Sequence, residues 1–362
     1  MTDIEKREIY LSCRQFLNGH YPIHISAQLA NLSQVAEPSE LSDFYGTGEI
    51  IESFESEVAS LLGKPASVFM PSGTMAQVIA MRVWCDDRNS TKVGFHSTSH
   101  LEKHEHHAYR ELHKLDAELL GDSKRALTLA DFENSSAEFA AALVELPQRE
   151  LGGVLPSWSD LKGMTEFCRR KNIAVHLDGA RLWESAPYYK KSYAEIYENF
   201  DSVYVSFYKG LGGVAGAMLC GPTDFIAKAK VWQRRHGGNL IRLYPYILAA
   251  REGLKTRLPK MAAYHEKAKQ IALALSCIEG IEVLPALPHI NMMQIFFRRT
   301  PSELEAAFAK IADKEGIALF YKVQPSSGSD GCMAELSVGD ATLDLSIQII
   351  EKLLREALDL SK

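Results

Sequence analysis

At 362 residues the chain exceeds the usual size of one compact core, which favours two unequal domains. Its 46% hydrophobic and 24% charged residues support a large buried core and exclude disorder as the dominant state. A net charge of −6 speaks against a nucleic-acid-binding face, so small molecules are the expected partners.

The first residues, MTDIEKREIYLSC, alternate charged and apolar side chains and lack the basic start and apolar stretch of a signal peptide. No segment reaches about 18 consecutive apolar residues, the length needed to span a bilayer. A cytoplasmic location with no membrane contact is therefore expected. Cys13, Cys85, Cys168, Cys220, Cys277 and Cys332 are scattered, with no CxxC pair. They read as buried thiols in a reducing compartment rather than as a disulfide framework or a metal site.

Along the chain, Ile50, Ile51, Phe54, Val58, Leu61 and Leu62 fall on one helical stripe that Gly63 terminates. The apolar run Ala66 to Met70 predicts a strand, Pro71-Ser72-Gly73 a turn, and Thr74 to Trp84 a helix. Further apolar runs at Ala142 to Leu146, Ile173 to Leu177, Ser202 to Phe207 and Val214 to Leu219 alternate with helix-like or glycine-rich segments. Such alternation predicts an α/β domain with a mostly parallel sheet. After about Gly253 the pattern becomes a long helix-like stretch. Strands at Ile281 to Leu284 and Met292 to Phe297 follow, with helices at Ser302 to Glu315 and Leu343 to Leu358. The expected division is an N-terminal arm and large domain over residues 1–252 and a small α/β domain over 253–362.

Chemistry concentrates in Ala174-Val175-His176-Leu177-Asp178-Gly179-Ala180-Arg181 and in Val203-Tyr204-Val205-Ser206-Phe207-Tyr208-Lys209-Gly210-Leu211-Gly212-Gly213. In each, an apolar strand leads to a charged residue followed at once by glycine. Open α/β sheets bind ligands outside the carboxyl ends of their strands, which would bring Asp178 and Lys209 to one crevice. A desolvated lysine is a usable amine nucleophile for Schiff-base chemistry. A carboxylate beside a pyridine nitrogen keeps that nitrogen protonated and the ring electron-withdrawing. The plainer alternative is an ion pair at two strand ends. The turn Pro71-Ser72-Gly73-Thr74 favours the functional reading, because a strand-to-helix junction offers backbone N–H groups and a helix dipole to a phosphate. Gly73 and Thr74 are the expected phosphate holders, with the Ser206 hydroxyl as a further donor. Phosphate cup, acid and lysine appear in the order a pyridoxal 5'-phosphate site needs.

These segments resemble the threonine aldolase and β-eliminating lyase family from about Asp43 to Arg242. The shared parts are Asp43-Phe44-Tyr45-Gly46, Pro71-Ser72-Gly73-Thr74-Met75-Ala76, Ser99-His100 with Glu105, Glu145, His176-Leu177-Asp178-Gly179-Ala180-Arg181 and Lys209-Gly210-Leu211-Gly212. The resemblance implies the fold of aspartate aminotransferase (fold type I) with pyridoxal 5'-phosphate as cofactor. Lys209 would carry it as a Schiff base, Asp178 would face the pyridine nitrogen, and His100 would stack on the ring and serve as acid or base. Arg181 would hold the ring substituent or the substrate carboxylate. The resemblance further implies a homodimer or homotetramer with shared active sites. In such an assembly Arg242, or Arg235 in Arg234-Arg235-His236-Gly237-Gly238, would reach a neighbour's phosphate, although the spacing departs by about one residue from the family pattern.

His96, His100 and His104 recur every four residues, with His106, His107 and His113 following. Without cysteines or a second histidine pair the run is not a recognisable metal motif. The remaining histidines read as polar lining or surface, and Glu105 as solvated rather than bonded to a site histidine. Three stretches depart from the family. Leu146-Pro147-Gln148-Arg149-Glu150 after Glu145 contains no histidine for a substrate hydroxyl. Met333-Ala334-Glu335-Leu336-Ser337-Val338 has no arginine for a substrate carboxylate, and the N-terminal Phe16-Leu17-Asn18-Gly19-His20-Tyr21-Pro22 also differs. The carboxylate donor must then be another cation, with Arg181 the first candidate and Arg149 the second.

The expected activity is cleavage of a β-hydroxy-α-amino acid to glycine and an aldehyde. The rivals are β-elimination from an amino acid bearing a leaving group and a pyridoxal-phosphate-binding protein with little catalysis. The lyase-type signature makes transamination the weaker fit.

Overall fold

The computed structural model of the chain describes residues 2–326 and 331–361 and divides into two compact units. Ser26–Glu150 and Leu155–Pro259 form the larger, and Met1–Ile25, Leu151–Val154 and Lys260–Lys362 the smaller.

The larger unit is built on seven strands: β1 (Ala66–Met70), β2 (Lys92–His96), β3 (Asp116–Leu120), β4 (Ala141–Glu145), β5 (Ala174–Gly179), β6 (Ser202–Ser206) and β7 (Ala217–Gly221). Their order is β1-β7-β6-β5-β4-β2-β3. All neighbours from β6 to β3 are parallel, and β7 runs antiparallel to both β1 and β6. Every residue of β4, β5, β6 and β7 is buried, as expected of central strands covered on both faces. The register sets Glu145 opposite Asp178 and Asp178 opposite Tyr204, so three functional groups reach neighbouring strand ends together.

The helix Gly73–Asp87 follows β1 and starts at Ser72, whose hydroxyl accepts from the Met75 N–H at 3.5 Å. It buries Ala76, Gln77, Ile79, Ala80 and Val83 against the sheet core. The stripe predicted for Glu49–Leu61 buries Ile50, Ile51, Phe54 and Val58, and Gly63 ends it at φ 63°. The strand expected from Val214 begins only at Ala217, because Gly216 turns the chain at φ 104° just before it. The sequence pattern does not predict β2 or β3: β2 carries a central glycine, and the edge strand β3 has two acidic residues among its five.

In the smaller unit a four-stranded antiparallel sheet runs in the order Gln324–Pro325, Cys332–Ser337, Met292–Phe297 and Ile281–Leu284. The helices Asp3–Ser12, Met261–Leu275, Pro301–Glu315, Asp340–Leu343 and Ile347–Leu360 belong to the same unit. The division differs from the one expected at residue 252, with Leu151–Val154 also in the smaller unit. The N-terminal arm belongs with the C-terminal segment, because Gln15–Phe16 pairs in parallel with Ile317–Ala318 and Leu17 N–H donates to Ala318 O at 2.8 Å. The helix Tyr244–Thr256 stays with the larger unit, because the buried Asp43 carboxylate caps it through Leu243 N and Tyr244 N, each at 2.9 Å. Among the described residues no helix is long and apolar enough to cross a membrane.

Candidate active site

The carboxyl ends of β4, β5 and β6 open into a cavity lined by Thr74, Gln77, His100, Glu105, Glu145, Pro147, Arg149, Asp178, Ala180, Arg181, Tyr204, Tyr208 and Lys209. Asp178 is 1% exposed and accepts from Gln77 Nε2 at 2.6 Å and from Ala180 N at 3.1 Å. Among the described residues it makes no ion pair. Burial pushes its carboxyl up, while the Gln77 and Ala180 hydrogen bonds pull it down. Glu145, directly opposite, is also pushed up by burial and then by the Asp178 charge. Two desolvated carboxylates side by side favour one shared proton or an added cation.

His100 opens the short helix His100–Lys103. Its N–H donates to Glu145 Oε2 at 3.3 Å, and its Nδ1 lies 2.9 Å from Glu105 Oε1. The Glu105 hydrogen bond raises the His100 imidazole above its ordinary value, against the opposing effect of burial. This corrects the solvated reading of Glu105, whose side chain is 1% exposed. The fold closes the five-residue step from His100 into a turn that aims both side chains inward.

Lys209 follows β6 by three residues, with Nζ 5.1 Å from the Tyr208 ring centroid. The next N–H, of Gly210, donates to Glu184 Oε1 at 3.1 Å. A Cβ at position 210 would overlap that oxygen, so any larger residue there would have to displace the Glu184 carboxylate. Burial pushes Glu184 up to about 7, opposed by the Arg181 and Lys209 charges.

Thr74 lines the cavity and Gly73 is packed beneath Tyr204. Ser206 does not take the place expected of it. Its hydroxyl donates to Ala180 O at 2.7 Å, so its one hydrogen is committed, and a phosphate oxygen offers only lone pairs. Arg181 and Arg149 both line the cavity. Arg242 does not: its guanidinium carbon sits 5.2 Å from the Phe44 ring centroid and its Nη1 donates to Ile241 O at 2.9 Å. Arg235 packs over the Trp232 ring at 4.5 Å, also outside the cavity.

The other histidines separate. His96 is buried between Thr98 and Asp122 O, His104 pairs with Glu150 at 2.9 Å, and His113 stacks on His236 with their Nε2 atoms 2.9 Å apart. His96 and His113 thus belong to the interior rather than the surface. The sequence reading passed over Gln77, Glu184, Tyr204 and Tyr208 as site residues. Gln77 left a signal, a polar residue on an otherwise apolar helix face one turn after Gly73. The others could be recognised only once the strand ends were brought together.

The donor set fits a phosphorylated pyridine aldehyde. It offers a buried carboxylate for a ring N–H, an amine for the aldehyde, and a helix N-terminus for the phosphate. Fold and site together define the class of pyridoxal-phosphate-dependent enzymes of fold type I. The solved structure of a serine palmitoyltransferase carrying pyridoxal phosphate shares this fold at a TM-score of 0.70 and 13% identity, covering 96% of this chain and 87% of that one. The beta-eliminating lyase family model matches residues 36–297, and the chain belongs to that family, which includes the threonine aldolases. A Listeria monocytogenes protein provisionally assigned as an L-allo-threonine aldolase is 41% identical over 99% of both chains, with a TM-score of 0.93. An Exiguobacterium protein described as an aromatic amino acid beta-eliminating lyase or threonine aldolase is 38% identical, covering 98% of this chain and 99% of that one, with a TM-score of 0.93. The Low-specificity L-threonine aldolase 1 of Arabidopsis thaliana is 28% identical over 69% of this chain and 73% of its own.

Proposed function

We propose that this chain cleaves a β-hydroxy-α-amino acid to glycine and an aldehyde, with pyridoxal 5'-phosphate held by Lys209, Asp178, Gly73 and Thr74. The observation that carries the reading is the convergence of a buried carboxylate, a lysine and a carboxylate-anchored histidine on one cavity that also holds two arginines. Bound cofactor supplies an electron sink for the pair left on Cα when the Cα–Cβ bond breaks. Asp178 holds the proton on the ring nitrogen, and Gln77 fixes the carboxylate's orientation. Lys209 supplies the amine for the cofactor's aldehyde carbon. Arg181, with Arg149 beside the same cavity, pairs with the substrate carboxylate in place of the missing C-terminal arginine.

His100 is the base in this reading. With Nδ1 bonded to Glu105, the hydrogen is held on that nitrogen in the neutral ring and Nε2 keeps its lone pair for the β-hydroxyl proton. This arrangement supplies the function that the histidine-free stretch after Glu145 lacks. A homodimer or larger assembly is part of the proposal. Phe44, Tyr45, Leu240 and Ile241 are exposed apolar residues around Arg242, and a second copy covering them would bring that arginine to its phosphate. Six free cysteines suit a reducing compartment such as the cytoplasm.

The test is a panel of β-hydroxy amino acids scored for glycine and aldehyde against pyruvate and ammonia. Glycine with a matching aldehyde supports the aldolase reading. Keto acid with ammonia moves the assignment to β-elimination, and neither product reduces the chain to a cofactor-binding protein.

A further inference from the structure

With Ser206 committed elsewhere, the phosphate cup lacks the side-chain hydroxyl donor expected beside the lysine. Tyr204 occupies that region. It stands on β6 and lines the site cavity, and it is 2% exposed. Its hydroxyl lies against the first residue of the helix Gly73–Asp87, so closely that a Cβ on Gly73 would overlap it. Among the described residues the one hydrogen-bond partner of that hydroxyl is Tyr208 Oη at 3.5 Å, beyond the usual range of an O–H···O bond. A buried phenol with a slack hydrogen beside the N–H groups of a helix start is arranged to donate to an anion.

We propose that Tyr204 donates a hydrogen bond through its hydroxyl to the cofactor phosphate, in the place expected of Ser206, and that Gly73 is glycine in order to admit it. The inference rests on the pyridoxal-phosphate reading above. Burial holds the phenol well above its ordinary ionisation range, which keeps the hydroxyl a donor rather than a competing anion. The helix start offers the Gly73 and Thr74 N–H groups to the same phosphate, and the phenol closes the cup from the strand side. The ligand class recognised here is a phosphate monoester, and the hydroxyl would not discriminate between pyridine rings.

The experiment strips the cofactor from parent, Tyr204→Phe, Gly73→Ala and the double variant. Each is titrated with pyridoxal phosphate and with pyridoxal, which has no phosphate, following the absorbance of the bound cofactor. Inorganic phosphate is then used as a competitor for pyridoxal phosphate. Tyr204→Phe is expected to weaken pyridoxal phosphate about tenfold or more, the scale of a hydrogen bond to a charged group. Pyridoxal binding stays as in the parent, and inhibition by inorganic phosphate requires a similarly higher concentration. Gly73→Ala displaces the phenol, so its loss and that of Tyr204→Phe do not add in the double variant. Equal losses for pyridoxal phosphate and pyridoxal reveal a structural residue and overturn the proposal. Unchanged phosphate affinity in Tyr204→Phe overturns it as well, leaving the helix N-terminus as the sole holder. A parent that binds neither compound overturns the cofactor reading itself, a result distinguishable from both.

Discussion

Replacing Glu105 with Gln removes a negative charge that solvent cannot replace, because the side chain is 1% exposed and lies 2.9 Å from His100 Nδ1. In the proposed mechanism His100 works unprotonated, so kcat/KM falls as pH drops through the histidine's pKa. Glu105 stabilises the protonated ring and raises that pKa, which places the parent's acid limb above the ordinary histidine value of about 6.5. A hydrogen bond to a charged group contributes about 1.5–3 kcal/mol against about 1 for a neutral one. Removing the charge therefore withdraws about 1 kcal/mol from the protonated ring, and less than that because the His100 side chain is 35% exposed. The acid limb of Glu105→Gln should therefore move toward acid. The plateau should drop about tenfold, because a weaker base transfers the proton less readily and Gln can donate to Nδ1, which puts the ring hydrogen on Nε2. The assay is kcat/KM for aldehyde release from about pH 5 to 9. An unmoved acid limb with a normal plateau, or a limb displaced toward alkali, refutes the argument.

Borohydride reduction of the holoprotein followed by peptide mapping should label Lys209, and Lys209→Ala should lose the cofactor absorbance; a label on another lysine removes the assignment. Asp178→Asn keeps the shape of the buried group and the Gln77 contact but loses the charge that keeps the ring nitrogen protonated. It should slow turnover by roughly a hundredfold or more, and near-parental turnover would assign the task to another group. Arg181→Lys keeps the charge but not the two-pronged hydrogen bond, so glycine titrated into the holoprotein should bind at least about tenfold more weakly. If Arg149→Ala loses binding instead, the carboxylate site lies on the segment after β4. Ile241→Asp places a charge on the exposed apolar surface beside Arg242 and should shift sedimentation toward monomer; an unchanged assembly would move the interface elsewhere.

What the sequence by itself determined was local. β1 was legible as an apolar run broken by Pro71-Ser72-Gly73, and the ends of β5 and β6 were legible because an apolar run leading to a charged residue and then glycine, at Asp178 and at Lys209, is a short-range pattern. The helix Glu49–Leu61 was legible from its stripe and its Gly63 stop. Strand β3 escaped because an edge strand need not bury alternate residues, and Asp116 to Leu120 reads as easily as a helix. The tertiary structure decided everything that depends on register and reach. Pairing of Gln15–Phe16 with Ile317–Ala318 joins segments about 300 residues apart, and hydrogen-bonding geometry carries no record of that separation in either stretch. Ser206 was expected at the phosphate from its spacing to Lys209, but the approach of Ala180 O across neighbouring strands claimed its hydrogen. The Glu105 bond to His100 and the lodging of Tyr204 against Gly73 likewise follow from how separate segments pack. Sequence spacing constrains which residues can share a strand end, whereas the direction of each donor hydrogen is settled only when the neighbouring chains are in place.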